Sequence, residues 1–284
     1  MDNIEIVYIA SSFKQDEFDS FVKALKKHLS VDQIGDDKIS VRSPISAGTL
    51  RMLRDELMPF RGDWALKSPE MAPKLVMSDM DSTMINMETL DIMAHFAGKG
   101  AEVEAITNQA MRGNLVFEES LMRRLQSIRG EYAAPLFEKV IEKMHQSLNL
   151  GAETLLQTLN QRGVKSYLVS GGFNFAAEAL ADRLGFSEYY ANQLEIDRNG
   201  RLTGNVSGRI IGKTAKAALL YEKMMMGGLK PFETVAIGDG SNDLDMLNGA
   251  GLGIAYQAKP IVRKHCNAQI NTGNLEHLLL LSGL

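Results

Sequence analysis

The stretch KLVMSDMDSTMINMETLD at residues 74–91 decides how the rest of the chain is read, because an apolar run ends there in two aspartates one residue apart. Residues 74–79 are expected to form a strand ending at Asp79, with Asp81 two residues later in the following turn. A second apolar run, TVAI at 234–237, ends the same way in GDGSNDLDM, which offers Asp239 and Asp243. A third strand, expected over 164–169, runs into Ser170-Gly171-Gly172, a hydroxyl followed by flexible backbone N–H groups suited to an anion. Helical periodicity at 151–161 and 174–184 separates these runs, and a further strand is expected at 252–255. Strands alternating with helices predict an α/β fold with a parallel, helix-covered sheet. Such sheets bind ligands at the carboxyl ends of their strands, so both acidic clusters and the Ser-Gly-Gly loop are expected at one edge. Clustered carboxylates attract a hard divalent cation, and a cation beside free amides attracts phosphate. The predicted site handles phosphoryl groups.

Working outward, residues 1–72 alternate short strands (4–9 and 38–41) with amphipathic helices. Phe18, Phe21, Val22, Leu25 and Leu29 share one helical face, and Leu50, Leu53 and Leu57 share another. This predicts a small α+β module, followed by a linker around Lys67–Pro73, which holds two prolines. Residues 87–148 carry no strand pattern and read as an all-helical insertion broken near Gly98–Gly100, Arg112–Asn114 and Gly130. The sequence IDRNGRLTG at 196–204 predicts a β-hairpin with Asn199-Gly200 at its tip.

Composition narrows the function classes. The 284 residues are 45% hydrophobic, enough for a large core and about two domains. With 31 Lys+Arg against 35 Asp+Glu the net charge is −4, which advertises neither nucleic acid nor an acidic membrane as partner. One cysteine, Cys266, excludes an internal disulfide framework and suits a reducing compartment. The start, MDNIEIVYIA, lacks the pattern of a secretory signal, and no apolar run approaches a membrane span, so a cytoplasmic protein is expected. Calcium loops fail: counted from Asp79, the required glycine and glutamate positions hold Met84 and Leu90, and from Asp239 they hold Leu244 and Ala250. The GAGLG run at 249–253 precedes a strand instead of following one, so it reads as a tight turn and not as a dinucleotide fingerprint. The five histidines show no metal-ligand spacing, and the sixteen methionines read as core filler.

The segments DMDSTMINMETLD (79–91), NLVFEESLMRR (114–124), VSGGFNF (169–175), LTGNV (202–206) and VAIGDGSNDLDMLNGAGLGIAYQAKP (235–260) occur in one order. Together they resemble the haloacid dehalogenase superfamily and, from residue 74 to about 270, its phosphoserine phosphatase family. The resemblance implies a Rossmann-like catalytic core over 73–86 and 149–284, with 87–148 as a helical cap inserted after the first core strand. Residues 1–72 would be a regulatory or oligomerising module, with a homodimer as the assembly it would build. The implied reaction is Mg²⁺-dependent hydrolysis of O-phospho-L-serine, the last step of serine biosynthesis, through an aspartyl-phosphate. Asp79 would be the nucleophile and Asp81 the general acid and base.

By the same resemblance, Mg²⁺ is held by the carboxylates of Asp79 and Asp239 and the backbone carbonyl of Asp81, with Asp243 close behind. Ser170 and Gly171 would bind phosphate oxygens, and Asn242 would help order the site. Family members carry a lysine heading a helix of the form A-K-x-x-x-L, which TAKAALL matches at Lys216, leaving Lys213 as a solvated charge. Glu88, nine residues after Asp79, would receive the substrate ammonium and Arg124 its carboxylate, with Met111 and Phe117 as apolar lining. Taken singly, Glu88 reads as a first-turn helix charge and Arg124 as a solvated residue; the shared frame favours recognition. Two other readings stand beside this one: a related phosphatase or phosphotransferase acting on phosphothreonine, phosphohomoserine or another small phosphate, and a non-enzymatic amino-acid sensor.

Overall fold

The computed structural model describes residues 2–29, 33–34, 38–111 and 116–284. The amino-terminal part runs β1 (Asp2–Tyr8), α1 (Gln15–His28), β2 (Gln33–Ile34), β3 (Lys38–Ile45), α2 (Ala47–Leu57) and β4 (Trp64–Lys67). After β5 (Leu75–Ser78) come four helices in succession, α3 (Thr89–Phe96), α4 (Gly100–Met111), α5 (Phe117–Ser127) and α6 (Ala133–His145). The chain continues through α7 (Ala152–Gln161), β6 (Lys165–Phe173), α8 (Asn174–Leu184), β7 (Glu188–Ile196), β8 (Leu202–Ser207) and α9 (Lys213–Gly227). It ends with β9 (Thr234–Gly238), α10 (Leu244–Gly249), β10 (Leu252–Tyr256), α11 (Pro260–Arg263), β11 (Ala268–Ile270) and α12 (His277–Ser282). None of the described helices is long and apolar enough to cross a membrane.

The described strands join one sheet in the order β2-β3-β1-β4-β11-β10-β9-β5-β6-β7-β8. The block from β11 to β7 is parallel, and antiparallel strands flank it on both sides. The α/β fold with a parallel sheet is therefore present as expected. β5 is fully buried, consistent with a continuous apolar run covered on both faces. It lies between β6 and β9, so Asp79 and Asp239, just past the ends of β5 and β9, and Ser170, in the last part of β6, come side by side. β6 runs on to Phe173 instead of stopping at Val169, and its pairing with β7 is irregular between those two residues, across the Ser-Gly-Gly stretch.

The four helices of residues 87–148 leave and re-enter the core at a single crossing. Ile85 bridges Leu148, Asn86 donates its N–H to Ser147 (2.7 Å), and Asn149 donates its N–H to Met84 (3.0 Å). The expected break near Arg112–Asn114 lies outside the described residues. The β7–β8 hairpin turns at Asn199-Gly200 as expected, with the Asn199 and Arg201 N–H groups donating to the Asp197 carboxylate. It buttresses the insertion, because Gly130 N–H donates to Leu202 (2.8 Å) and the Arg201 guanidinium lies 3.9 Å above the Tyr132 ring.

β4 has no counterpart in the sequence-based expectation. Its four residues, WALK, are all buried, so no alternation marks them as a strand, yet they pair with β1 on one side and β11 on the other. The amino-terminal core is built from one face of α1 (Phe21, Ala24, Leu25) and α2 (Leu53, Leu57) packed on Ile4, Ile6, Tyr8, Trp64 and Leu66.

Just before β4, Asp63 is fully buried and ties the amino-terminal part to the carboxyl-terminal loop. It accepts hydrogen bonds from the N–H groups of Asn271 (2.7 Å), Thr272 (3.0 Å) and Gly273 (2.9 Å), and from His277 Nδ1 (2.6 Å). Gly273 is required for this approach, since a Cβ there would sit 2.4 Å from an Asp63 oxygen. Burial alone would raise the Asp63 pKa, but His277 and the backbone donors outweigh it and hold the carboxyl below its usual value. Replacing Asp63 with Ala orphans several buried donors and should destabilise the chain by about 3–5 kcal/mol. A depressed carboxyl contributes stability that is present above its unfolded pKa of about 3.9 and is lost as pH falls below it. Urea unfolding at pH 7 and at pH 3 checks both points: the two proteins should differ widely at pH 7 and converge in acid. A difference under about 1 kcal/mol at pH 7 would contradict this account.

Candidate active site

Asp79 follows β5 directly, its N–H donating to the Ile237 carbonyl of β9 at 3.0 Å, so the backbone ladder itself aims the carboxylate out of the sheet edge. The side chain is buried and meets Lys216 Nζ at 2.6 Å. Lys216, in the first turn of α9, is wholly inaccessible and reaches Asp243 Oδ1 at 2.6 Å as well. Burial alone would depress the Lys216 ammonium, but the two carboxylates outweigh it and hold the group protonated. Asp243 also accepts the Gly240 N–H at 3.0 Å, so each of its oxygens already has a partner. Lys213 pairs with Asp245 at 3.0 Å, and both side chains are about half exposed, as expected of a solvated pair.

Asp79, Asp239 and Asp243 bring one carboxylate oxygen each to within 4.8 Å of one another. Burial, then the charge of Asp243, raises the Asp79 pKa well above the usual carboxylate range. Burial, then Asp243 and Glu88, pushes Asp239 up to about 7. One ammonium therefore faces more negative charge than it neutralises. Hard oxygen donors carrying that surplus fit a divalent cation of the Mg²⁺ type. The Asp81 carboxylate is not part of that cluster.

The Asp81 side chain accepts a hydrogen bond from Thr89 Oγ1, yet burial and the neighbouring Glu88 charge push its pKa up to about 8. A carboxyl that keeps its proton near neutrality can act as an acid there. Ser170 is fully buried, its Oγ accepting the Gly172 N–H at 2.8 Å. The Gly171 carbonyl accepts from Asn192 Nδ2 (2.9 Å), and Asn192 Oδ1 accepts the Ile211 N–H (2.8 Å). Phe117, at the start of α5, packs directly over Gly171, where a Cβ would come within 2.9 Å of the ring. A side chain at 171 would require the Phe117 ring to shift.

One cavity of about 370 Å³ joins these groups. Asp79, Asp81, Ser170, Gly171, Asp239 and Asn242 line its core end. Glu88, Phe117 and Arg124 line the side formed by the helical insertion. Glu88 stands as N-cap of α3 and accepts from Ser82 Oγ at 2.7 Å. Arg124 Nε donates to Ser120 of its own helix at 3.3 Å, and Nη1 lies 3.7 Å from Asp91. Arg123 is exposed and paired with Glu119, as a solvent-facing neighbour should be. Met111 ends α4, and its side chain lies outside the described residues.

Sequence reasoning did not single out Asn192, Asp91, Thr107 or Lys259. Lys259 joins the cavity beside Asp239, whose pKa its charge lowers, and it sits inside the quoted AYQAKP segment. The signal for Lys259 was available, because Pro260 at the start of α11 places it in the loop after a core strand. Asn192 gave no such signal, lying mid-strand in β7.

The haloacid dehalogenase-like hydrolase family profile matches residues 76–248. A phosphoserine phosphatase of Streptococcus thermophilus is 43% identical over 201 residues, covering 71% of this chain and 92% of that protein. A phosphoserine phosphatase of Streptomyces coelicolor is 43% identical over 215 residues, 75% of this chain, but the match spans only 51% of that longer protein. The crystal structure of a HAD family hydrolase from Salmonella enterica serovar Typhi superposes with a TM-score of 0.79 at 29% identity, covering 98% of each chain. By the family profile and by its likeness to nearly the full length of the streptococcal protein, the chain belongs to the haloacid dehalogenase-like hydrolases and, within them, to the phosphoserine phosphatase family.

Proposed function

We propose that this chain hydrolyses O-phospho-L-serine to L-serine and phosphate through an aspartyl-phosphate at Asp79. The observation that carries the reading is the single cavity with a nucleophile, an acid and an anion loop at one end and Glu88 with Arg124 at the other. The relatives' names support the substrate.

The Asp79 carboxylate attacks phosphorus, the bond from phosphorus to the serine oxygen breaks, and Asp81 gives its proton to that oxygen. Asp81 then takes a proton from water, whose oxygen attacks phosphorus and frees the Asp79 carboxylate. Proton transfer of this kind contributes about 10²- to 10⁴-fold, and the covalent step divides one difficult displacement into two. Lys216 opposes the burial and like charge that raise the Asp79 pKa, and it aims the carboxylate. Ser170 and the Gly171 N–H bind phosphate oxygens, and Asn242 orders the turn beside them. Asp79 and Asp239, with the Asp81 carbonyl and with Asp243 close behind, would hold Mg²⁺, which when bound supplies the positive charge that lets a carboxylate approach a phosphate dianion. Glu88 receives the substrate ammonium and Arg124 the carboxylate, with Phe117 as an apolar wall. Covering by residues 87–148 excludes water during transfer.

We assign catalysis to residues 73–86 and 149–284, specificity to 87–148, and a regulatory or oligomerising role, with a homodimer as the product, to 1–72. A cytoplasmic location is consistent with the single cysteine, which is buried and whose thiol pKa burial raises to about 12.

Phosphate release by the full chain, screened with Mg²⁺ over small phosphorylated metabolites, tests the reading. Phosphoserine should have the highest kcat/KM and chelation should abolish turnover; preference for another phosphate, or chelator-resistant activity, would overturn it. Recognition separates from chemistry at Arg124, since guanidinium binds carboxylate through two parallel hydrogen bonds and lysine offers a point charge. Loss of charge-assisted bonds worth about 1.5–3 kcal/mol should cut kcat/KM of Arg124→Lys for phosphoserine roughly 10- to 200-fold. An aryl phosphate has no amino-acid end, so its hydrolysis should fall far less. Equal losses on both substrates would reassign Arg124 to cap structure or catalysis.

A further inference from the structure

The cap side of the cavity holds two polar atoms that the recognition scheme above leaves unused. Asp91 Oδ1 and Thr107 Oγ1 are both buried, and neither has a hydrogen-bond partner among the described residues. Both residues line the cavity that Glu88 and Arg124 share. A buried polar atom left unpaired is costly, so such a pair inside a pocket marks where a ligand supplies the missing partners.

Their chemistry matches the two ends of an α-amino acid. Asp91, in the first turn of α3, lies three residues after Glu88, the N-cap of that helix, and both carboxylates line the same cavity. Asp91 Oδ1 is an acceptor without a donor: Arg124 Nη1 is 3.7 Å away, close enough for attraction but beyond hydrogen-bond reach. An ammonium group carries three N–H donors and needs more than one acceptor, which Glu88 and Asp91 together provide. Glu88 already accepts from Ser82 through one oxygen, which strengthens the need for a second carboxylate. Thr107 lies inside α4, where a threonine hydroxyl ordinarily bonds back to the carbonyl one turn earlier. Here it does not, and its hydroxyl is free to donate to a carboxylate held by Arg124.

We infer that Asp91 and Thr107 complete the amino-acid end of the pocket, Asp91 accepting from the substrate ammonium beside Glu88 and Thr107 donating to the substrate carboxylate beside Arg124. The inference rests on the amino-acid phosphate reading above and extends it to two further binding residues.

Three substrates separate the two contacts: O-phospho-L-serine, phosphoethanolamine, which lacks the carboxylate, and 3-(phosphonooxy)propanoate, which lacks the ammonium. Asp91→Asn should raise KM for phosphoserine and phosphoethanolamine about ten-fold or more, with kcat little changed, and leave the des-amino substrate unaffected. Thr107→Val should raise KM about three- to ten-fold for phosphoserine and the des-amino substrate and spare phosphoethanolamine. Both replacements are close in shape to the originals, and thermal unfolding of each checks that the fold is retained. If Asp91 only oriented Arg124, Asp91→Asn would instead harm the des-amino substrate and spare phosphoethanolamine, overturning the ammonium contact. Folded variants with unchanged KM on all three would sink the inference while leaving wild-type phosphoserine hydrolysis intact. A wild-type protein inert on phosphoserine would bring down the proposed function and this inference together.

Discussion

The Lys216 ammonium, sealed between Asp79 and Asp243, is the interaction on which the site depends. No water reaches it, so its charge is compensated entirely by carboxylates from the turns after β5 and β9. Removing one partner of such a buried set typically costs about 3–5 kcal/mol, because the remaining charge is stranded. The same contacts explain why three aspartates tolerate one another: the lysine offsets part of the repulsion, and what remains makes the cluster receptive to a divalent cation. Stability and chemistry thus rest on one arrangement, in which α9 carries the cation and the parallel sheet carries the anions.

The sheet sets where that arrangement can exist. With β5 between β6 and β9, Asp79, Asp239 and, near the end of β6, Ser170 are carried by adjacent strands, as expected where ligands bind at the carboxyl ends of parallel strands. The helical insertion supplies the opposite wall. It crosses to the core through neighbouring segments at Met84–Asn86 and Ser147–Asn149, leans on the β7–β8 hairpin and brings Phe117 against Gly171. The amino-terminal strands continue the same sheet through β4 and are fixed to the carboxyl-terminal loop by Asp63, far along the strand order from the cavity.

Much of this was legible in the sequence because its signals were local. Strand ends bearing Asp79 and Asp239, the Asn199-Gly200 turn and the lack of any strand pattern over 87–148 each announce themselves within a few residues, whereas the expected strand end before Ser170 was misplaced, because β6 runs on to Phe173. β4 was not legible: a four-residue strand buried on both faces shows no period, and its partners lie on distant parts of the chain. The choice between Lys213 and Lys216 was also beyond periodicity, since residues three apart point to nearly the same helix face. The structure separates them by depth, with one sealed between carboxylates and the other half exposed beside Asp245. Asp63, Asn192 and Thr107 act through long-range contacts or unmet hydrogen bonds, which no spacing rule encodes.

The central claim is that the carboxylate held by Lys216 becomes covalently phosphorylated. Acid quench of a single turnover with ³²P-labelled phosphoserine, followed by peptide mapping, tests it most directly. The account predicts acid-stable, base-labile label on the peptide containing Asp79, absent from Asp79→Asn. Label on another residue, or full turnover with no labelled protein at any quench time, would contradict it.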